Sequence, residues 1–159
     1  MAVADPITIS LTPSEIALVQ DSWAEATTPN AANGDEPATA IASILYNGLF
    51  SLHPELKELF NDINSQSAAL GAVIGVTIGA LSDIESITPA LEILGKLHGR
   101  IPGVQPEHFD VVGKIFIATL SDKFGEKWTP ELQAPWVKVY AYVSGRIVAS
   151  MLAVRDTNI

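Results

Sequence analysis

The spacing of apolar and polar positions along the chain predicts helices. In the stretch "LTPSEIALVQDSW", apolar residues recur every three or four positions, as on one face of a helix. Thr12 can cap this helix, Pro13 suits its first turn, and Glu15 completes a capping box. A second apolar face runs from about 38 to 52, and no segment shows strand alternation. The pattern therefore predicts an all-α fold.

Prolines mark where most of the other helices begin or end. The second helix should stop at His53, because the residue before a proline is disfavoured in a helix. Pro54 then opens a short turn. The later helices are expected at about 65–82, from Thr88-Pro89 to around His98, at 106–124 and at 130–155, which gives roughly six to eight helices in all.

Two stretches do not follow the pattern of helices that begin or end at prolines. Pro135 would remove a hydrogen bond from the last helix, so this helix is expected to start near Ala134 or to be kinked there. The first eleven residues, "MAVADPITISL", lack the basic start and apolar run of a secretory signal. We interpret residues 1–11 as a flexible lead.

Length, composition and charge limit the number of domains and the kinds of partner and site that the chain can have. The chain has 159 residues, 48% hydrophobic and 17% charged, which suits one globular domain over 1–159. A net charge of −9 opposes binding to nucleic acid or anionic membranes. The apolar run at 70–81 is shorter than the roughly twenty residues that cross a bilayer. The absence of cysteine excludes disulfides, thiolate metal sites and thioether-linked cofactors, and fits a cytoplasmic protein.

A histidine stands on the apolar side of one helix, just before a glycine and proline break. His98 follows Leu94 by four positions and Leu91 by seven, so the three share a face. It can be a hydrogen-bonded histidine of the core or a metal ligand, since neutral imidazole is a common ligand of haem iron. His53 and His108 each adjoin a helix start that contains proline, and we interpret them as boundary or surface residues.

Several separately spaced motifs resemble one protein family. They run from about residue 11 to 154 and include Trp23, "LYNGLFSLHPELKELF", "NSQSAALGAVI", "LEILGKLHGRIPGVQPEHFDVVG" and "TPELQAPWVKVYAYVSG". Together they resemble single-domain globins, in particular bacterial-type haemoglobins and the haemoglobin domain of flavohaemoglobins. The resemblance implies a globin fold whose helices surround a pocket for haem b.

The resemblance also implies roles for individual residues. His98 matches the proximal ligand to the iron, Phe60 matches the phenylalanine that stacks on the porphyrin, and Pro54 matches the proline that starts the short helix before it. The residues expected to contact the cofactor are Phe60, Leu70, Leu94, His98, Val104 and Phe109.

On the opposite, distal side, the resemblance points to three residues. Gln66 matches the distal position, Leu70 packs over the iron, and Tyr46 directs its hydroxyl into the pocket. A hydroxyl or amide donor stabilises a bound gas by roughly 1 kcal/mol, or about fivefold in affinity. Taken alone, Tyr46 also fits core packing and Gln66 a solvent-facing position. Gln66 is a weak ligand, so the ferrous iron without gas is expected to be five-coordinate.

Two positions depart from the flavohaemoglobin pattern. Met151 stands where a glutamate would bond the proximal histidine, and Phe109 stands where a tyrosine would. Both changes weaken the expectation of a strongly electron-donating ligand, because hydrogen bonds to the outer nitrogen set its basicity. We therefore expect His98 to bond a backbone carbonyl. The sequence shows no flavin or nicotinamide domain after the last helix, so electrons would come from a separate reductase.

Three functions are compatible with this sequence. The first is reversible binding of dioxygen, and of other diatomic gases, for storage, delivery or scavenging. The second is a nitric oxide dioxygenase that relies on a separate reductase. The third is a globin-fold sensor or interaction domain. The chain is expected to be a monomer or homodimer.

Overall fold

A computed structural model describes residues 7–28 and 36–157, and in these ranges every regular element is a helix. The predicted all-α fold is therefore confirmed. Three short 3-10 helices, at Pro54–Leu59, Leu81–Ile87 and Gly125–Lys127, connect the longer elements. The longer elements are α1 (Pro13–Ala26), α2 (Pro37–Leu52), α3 (Ile63–Gly79), α4 (Thr88–Gly99), α5 (Pro106–Phe124) and α6 (Pro130–Thr157).

Polar side chains fix the starts of two of these helices. At α1, Glu15 N–H donates to Thr12 Oγ1 and Thr12 N–H donates to Glu15 Oε1, both at 3.1 Å, which confirms the predicted capping box. At α3, Asp62 Oδ1 accepts hydrogen bonds from the N–H groups of Asn64 and Ser65. This cap starts α3 at Ile63, two positions before the predicted start.

The last helix begins where the proline pattern predicted, at Pro130, and runs through Pro135, so the alternative start near Ala134 is wrong. Thr129 supplies the cap: its Oγ1 accepts from Leu132 N–H at 3.3 Å, and its carbonyl accepts from Leu132 and Gln133 N–H at 3.0 and 2.9 Å. Pro135 removes one helical hydrogen bond, but its ring is fully buried, and this burial offsets the loss.

The described part of the lead is attached to the folded body. Residues 1–6 of the proposed flexible lead lie outside the described residues. Ile9 and Leu11 pack against the core, and Arg146 Nη2 donates to Ile7 O at 2.8 Å. From Ile7 onward the lead therefore belongs to the folded structure.

A main core cluster joins α1, α2, α3, α5 and α6. At its centre Trp136 is only 1% exposed, and its ring centroid lies 6.1 Å from that of Trp23 and 5.6 Å from that of Phe116. Trp136 Nε1 also donates to Ser22 Oγ at 2.9 Å, so the buried indole N–H has a partner. The buried members are Val19, Trp23, Ala26, Ile41, Leu45, Ile78, Leu81, Phe116, Leu120, Phe124, Leu132, Trp136 and Val139.

A second core cluster, formed by Leu91, Tyr142 and Ile147, joins α4 to α6. Along this contact Gly95 and Gly99 let the two helices approach closely, since a Cβ at Gly95 would clash with the Ile147 carbonyl oxygen. By length and hydropathy alone α6 could also span a membrane. Its contacts with α1, α4 and α5 are instead typical of the core helix of a globular protein.

Candidate functional site

His98 lies in the last turn of α4, half-buried, with its ring orientation fixed by one hydrogen bond. Its Nδ1 lies 2.7 Å from the carbonyl oxygen of Leu94, four positions earlier. A carbonyl oxygen can only accept, so Nδ1 carries the hydrogen and Nε2 keeps its lone pair. The bond to a backbone carbonyl agrees with the expectation from sequence. The ring is in the tautomer that binds a metal through Nε2.

Large apolar side chains lie close to His98 in the chain and stay exposed. Leu97 is 51% exposed beside His98 on α4, and Ile101, in the connection that follows, is 37% exposed. Leu94, one turn before His98, is half-buried and packs on the second core cluster. Exposed leucine and isoleucine near a metal-competent imidazole are consistent with the haem site that the resemblance implies.

Phe109, in the first turn of α5, packs against the imidazole. The two ring centroids are 5.4 Å apart at an interplanar angle of 67°, an edge-to-face contact. The Tyr140 hydroxyl donates to the Phe109 carbonyl and holds this turn in place. Phe109 offers His98 no hydroxyl, and the fully buried Met151 has only a weakly accepting thioether. A carbonyl oxygen is therefore the polar partner of the His98 ring.

Three aromatic side chains gather where α2 meets the segment before α3. Tyr46 and Phe50 lie one turn apart on α2, with centroids 6.1 Å apart, and Phe60 lies 5.1 Å from each. Pro54 begins the 3-10 helix that leads to Phe60, as expected from the resemblance. The sequence analysis missed Phe50, although its position four residues after Tyr46 on one helix face could have revealed it.

Partial burial keeps the Tyr46 hydroxyl protonated. Loss of solvent raises the pKa of Tyr46 above the ordinary 10.0, because the charged phenolate is disfavoured away from water. The hydroxyl therefore stays protonated at any physiological pH. It is available as a hydrogen-bond donor.

The other expected site residues lie as follows. Leu70 is half-buried on α3 against the main core cluster, and Gln66, one turn earlier, is exposed. Among the described residues no hydrogen bond joins Gln66 to Tyr46.

Val104 is half-buried just before α5, and its carbonyl accepts from Arg155 Nη2 at 2.6 Å. Sequence reasoning missed Arg155, since no local pattern links it to this segment.

A separate polar cluster joins His53, Glu55 and His108, whose potential ligand atoms lie within 4.8 Å of one another. The two imidazole centroids are 4.6 Å apart, and His53 Nδ1 lies 3.1 Å from Glu55 Oε1. Gln105 N–H donates to His108 Nδ1 at 3.0 Å, so in the neutral ring Nε2 carries the hydrogen. Because Nδ1 of His108 accepts this bond and Nε2 of the neutral ring carries the hydrogen, neither nitrogen offers a free lone pair, and we interpret the cluster as a helix cap and not as a metal centre.

His108 is a boundary residue in the first turn of α5, in agreement with one half of its interpretation, but it is not a surface residue. It is buried, with 6% of its surface exposed, because α2 and α5 pack together around it. Burial, and then the nearby His53, lower the pKa of His108 below the ordinary 6.5. The interpretation of His53 as a boundary residue agrees with its half-buried place between α2 and the 3-10 helix.

Comparison with known proteins identifies clear relatives. A family model described as Globin matches residues 43–147. Human hemoglobin subunit zeta is 30% identical over 142 residues, which cover 86% of this chain and 94% of that protein. The flavohemoprotein of Bacillus subtilis is 29% identical over 112 residues, which cover 68% of this chain but 28% of that protein. The chain thus spans less than a third of the flavohemoproteins that it matches.

Solved structures show the same fold. An engineered carbene transferase from Rhodothermus marinus superposes with a TM-score of 0.76 at 19% identity, covering 93% of this chain and 98% of that one. A hexacoordinated heme protein from an anhydrobiotic tardigrade superposes with a TM-score of 0.74 at 16% identity, covering 91% of this chain and 97% of that one. At these identities the likeness establishes the fold alone.

Proposed function

We propose that this chain, which belongs to the globin family and is a haem-binding globin, uses haem b to bind dioxygen reversibly. The observation that carries the proposal is the Nδ1–H bond from His98 to the Leu94 carbonyl, which leaves the Nε2 lone pair available to hold the haem iron. When bound, haem supplies a ferrous iron that takes up diatomic gases. The side chains that would cover the porphyrin are Phe60, Leu70, Leu94, Val104 and Phe109.

Polar groups on the distal side would determine how tightly the gas is held. The protonated hydroxyl of Tyr46 belongs to a half-buried ring beside Phe60, where it can donate a hydrogen bond with less competition from water than at the surface. Gln66, in the first turn of α3, can supply a second donor from its amide. Leu70, one turn further along α3, would limit the entry of water.

The surroundings of His98 favour gas binding over oxygen activation. The carbonyl of Leu94 is neutral, and the Phe109 ring and the Met151 thioether add no strong acceptor. An imidazole bonded to a carboxylate donates more electron density than one bonded to a carbonyl. A nitric oxide dioxygenase working with a separate reductase remains the competing function, and rapid nitric oxide consumption on addition of a reductase would favour it.

The haem ligand can be tested by absorption spectroscopy. The purified protein with added haem should give distinct ferric, ferrous and oxygenated spectra, with the gas-free ferrous form five-coordinate and high-spin. His98→Ala should lose these spectra, whereas His53→Ala, which alters a histidine outside the site, should keep them. A protein that stays colourless with ample haem, or an unchanged His98→Ala spectrum, would contradict the proposal. A low-spin six-coordinate ferrous spectrum would contradict the expected coordination.

The Tyr46 hydroxyl should slow the release of dioxygen. Tyr46→Phe keeps the ring contacts with Phe50 and Phe60 but removes the donor, so oxygen dissociation should be about fivefold faster. Stopped-flow mixing of the oxygenated protein with carbon monoxide measures this rate. Tyr142→Phe is the matched control, because its hydroxyl pairs with Thr88 Oγ1 at 2.7 Å, away from the distal side. Equal rates in wild type and Tyr46→Phe would exclude this role.

A further inference from the structure

Arg155, near the end of α6, contacts the connection between α4 and α5 through three carbonyl groups. Its Nε donates to Gly99 O at 3.1 Å, and its Nη2 donates to Ile101 O at 3.3 Å and to Val104 O at 2.6 Å. These three acceptors span the whole segment that follows His98. We propose that Arg155 is a positioning residue for His98, an inference that rests on the proposed role of His98 as the haem ligand.

The first of these bonds stabilises the end of the helix that carries the histidine. The last carbonyls of a helix lack partners inside it. Here Ile101 N–H donates to the His98 carbonyl at 3.1 Å, and Arg155 takes the next carbonyl, that of Gly99. A positive charge at this end also interacts favourably with the helix dipole. The turn that holds His98 is therefore fixed from its carboxyl side.

The other two bonds fix the path of the chain from His98 to Phe109. Ile101 and Val104 lie between α4 and α5, and Phe109 contacts the His98 ring from the first turn of α5. Arg155 thus holds the segment that sets the distance between the imidazole and the ring packed against it. A planar guanidinium can donate along several directions at once, whereas the ammonium of a lysine cannot reproduce this arrangement.

The position of Arg155 relative to α4 is itself well determined. Gly95 and Gly99 meet the backbone of α6 closely, and Ser150 Oγ donates to Glu92 O at 2.6 Å. Met151 is fully buried in the same contact. This close approach of α4 and α6 at both glycines places the Arg155 guanidinium next to the connection between α4 and α5.

The test compares haem retention and the iron–histidine bond in three variants. Arg155→Ala should release ferric haem to an excess of apomyoglobin about tenfold faster than wild type, and should shift the iron–histidine stretching band of the ferrous protein in resonance Raman spectra. Arg155→Lys should show a haem release rate and a band shift between those of wild type and Arg155→Ala. Arg146→Ala is the matched control, since it removes an arginine-to-carbonyl bond on the same helix, to Ile7 O, away from the connection.

The outcomes separate this inference from the proposed function. A wild type that takes up no haem, or an iron–histidine band that survives in His98→Ala, would refute the proposed function itself. If that band depends on His98 but Arg155→Ala keeps the wild-type release rate and band, only the role of Arg155 is overturned. If haem release were accelerated equally in Arg155→Ala and Arg146→Ala, the role of Arg155 would also be overturned. If Arg155→Ala does not fold, Arg155→Lys must show both changes or the inference fails.

Discussion

His98 and His108 differ in which ring nitrogen carries the hydrogen, and this difference separates their roles. In His98, Nδ1–H donates to the Leu94 carbonyl, and Nε2 is left with a lone pair. In His108, Nδ1 accepts from Gln105 N–H, and Nε2 carries the hydrogen of the neutral ring. One partner atom per ring therefore distinguishes a metal-competent imidazole from one that caps a helix.

The buried His108 should make stability depend on pH. Its folded-state pKa is lowered by burial and by His53, while Glu107 and Glu55 oppose this shift in part. The unfolded chain therefore takes up a proton first as the pH falls below the ordinary 6.5, and the free energy of unfolding should fall from there towards the lowered folded-state pKa. Above about pH 7.5 both states are neutral at this residue, so its contribution is constant.

Urea unfolding at several pH values between 7.5 and 5 would measure this effect. His108→Asn keeps an oxygen that can accept from Gln105 N–H but does not titrate, so its unfolding free energy should fall less over this range. An identical decline in the variant and the wild type would show that His108 is not responsible.

Single residues were predictable where spacing on a helix carries the information. The four-residue intervals from Leu94 to His98 and from Gln66 to Leu70 are visible in the sequence, as is the departure at Met151. Arg155 was not predictable, because its carbonyl partners lie 51 to 56 positions earlier in the chain. Such contacts depend on how α6 packs against α4.

At the level of elements, helix ends followed from local chemistry. The cap of α1 depends on Thr12 and Glu15 alone, and Pro106 marks the start of α5. The continuation of α6 through Pro135 did not follow, because the sequence does not show that the proline ring is buried. Burial is a property of the packed helices, and the local pattern does not contain it.

The contact between α4 and α6 should tolerate no added methyl group. Gly95→Ala would place its Cβ against the Ile147 carbonyl and Ser150 Cβ, and should lower the free energy of unfolding by about 1–3 kcal/mol. Gly75→Ala, inside α3, meets only Trp23 Nε1 at 3.8 Å and should raise it by about 0.5–1 kcal/mol.

Urea unfolding of the two variants beside wild type would measure both changes. Haem uptake should be impaired in Gly95→Ala and normal in Gly75→Ala. A Gly95→Ala protein as stable as wild type would show that the helices can separate to admit the methyl group.

At the level of the whole molecule, the main core cluster is distinct from the residues that would cover haem. Trp136, Trp23 and Phe116 pack together within α1, α5 and α6, whereas Leu97 and Ile101 remain exposed near His98. The sequence predicted the fold class because apolar residues recur at helical spacing in several segments and no segment alternates as a strand does. It could not show which apolar residues stay uncovered, since that depends on how the helices are arranged around the site.

The haem-free protein should therefore be folded but less stable than the haem-loaded one. With free haem at about a thousand times its dissociation constant, binding to the folded state alone adds about 4 kcal/mol. Circular dichroism should show largely retained helix without haem, and urea unfolding should show a higher midpoint with it. In His98→Ala, added haem should raise the urea midpoint much less than in wild type. An equal midpoint for wild type with and without haem would contradict specific binding.

The neutral partner of His98 also has a bearing on electron supply. With haem bound as proposed, a carbonyl oxygen at Nδ1 would stabilise an extra positive charge on the metal less than an ionised carboxylate, so the midpoint potential would be higher. A mild reductant would then suffice to return the metal to the ferrous state. Through one short contact inside α4, the fold would reduce the need for a dedicated electron donor.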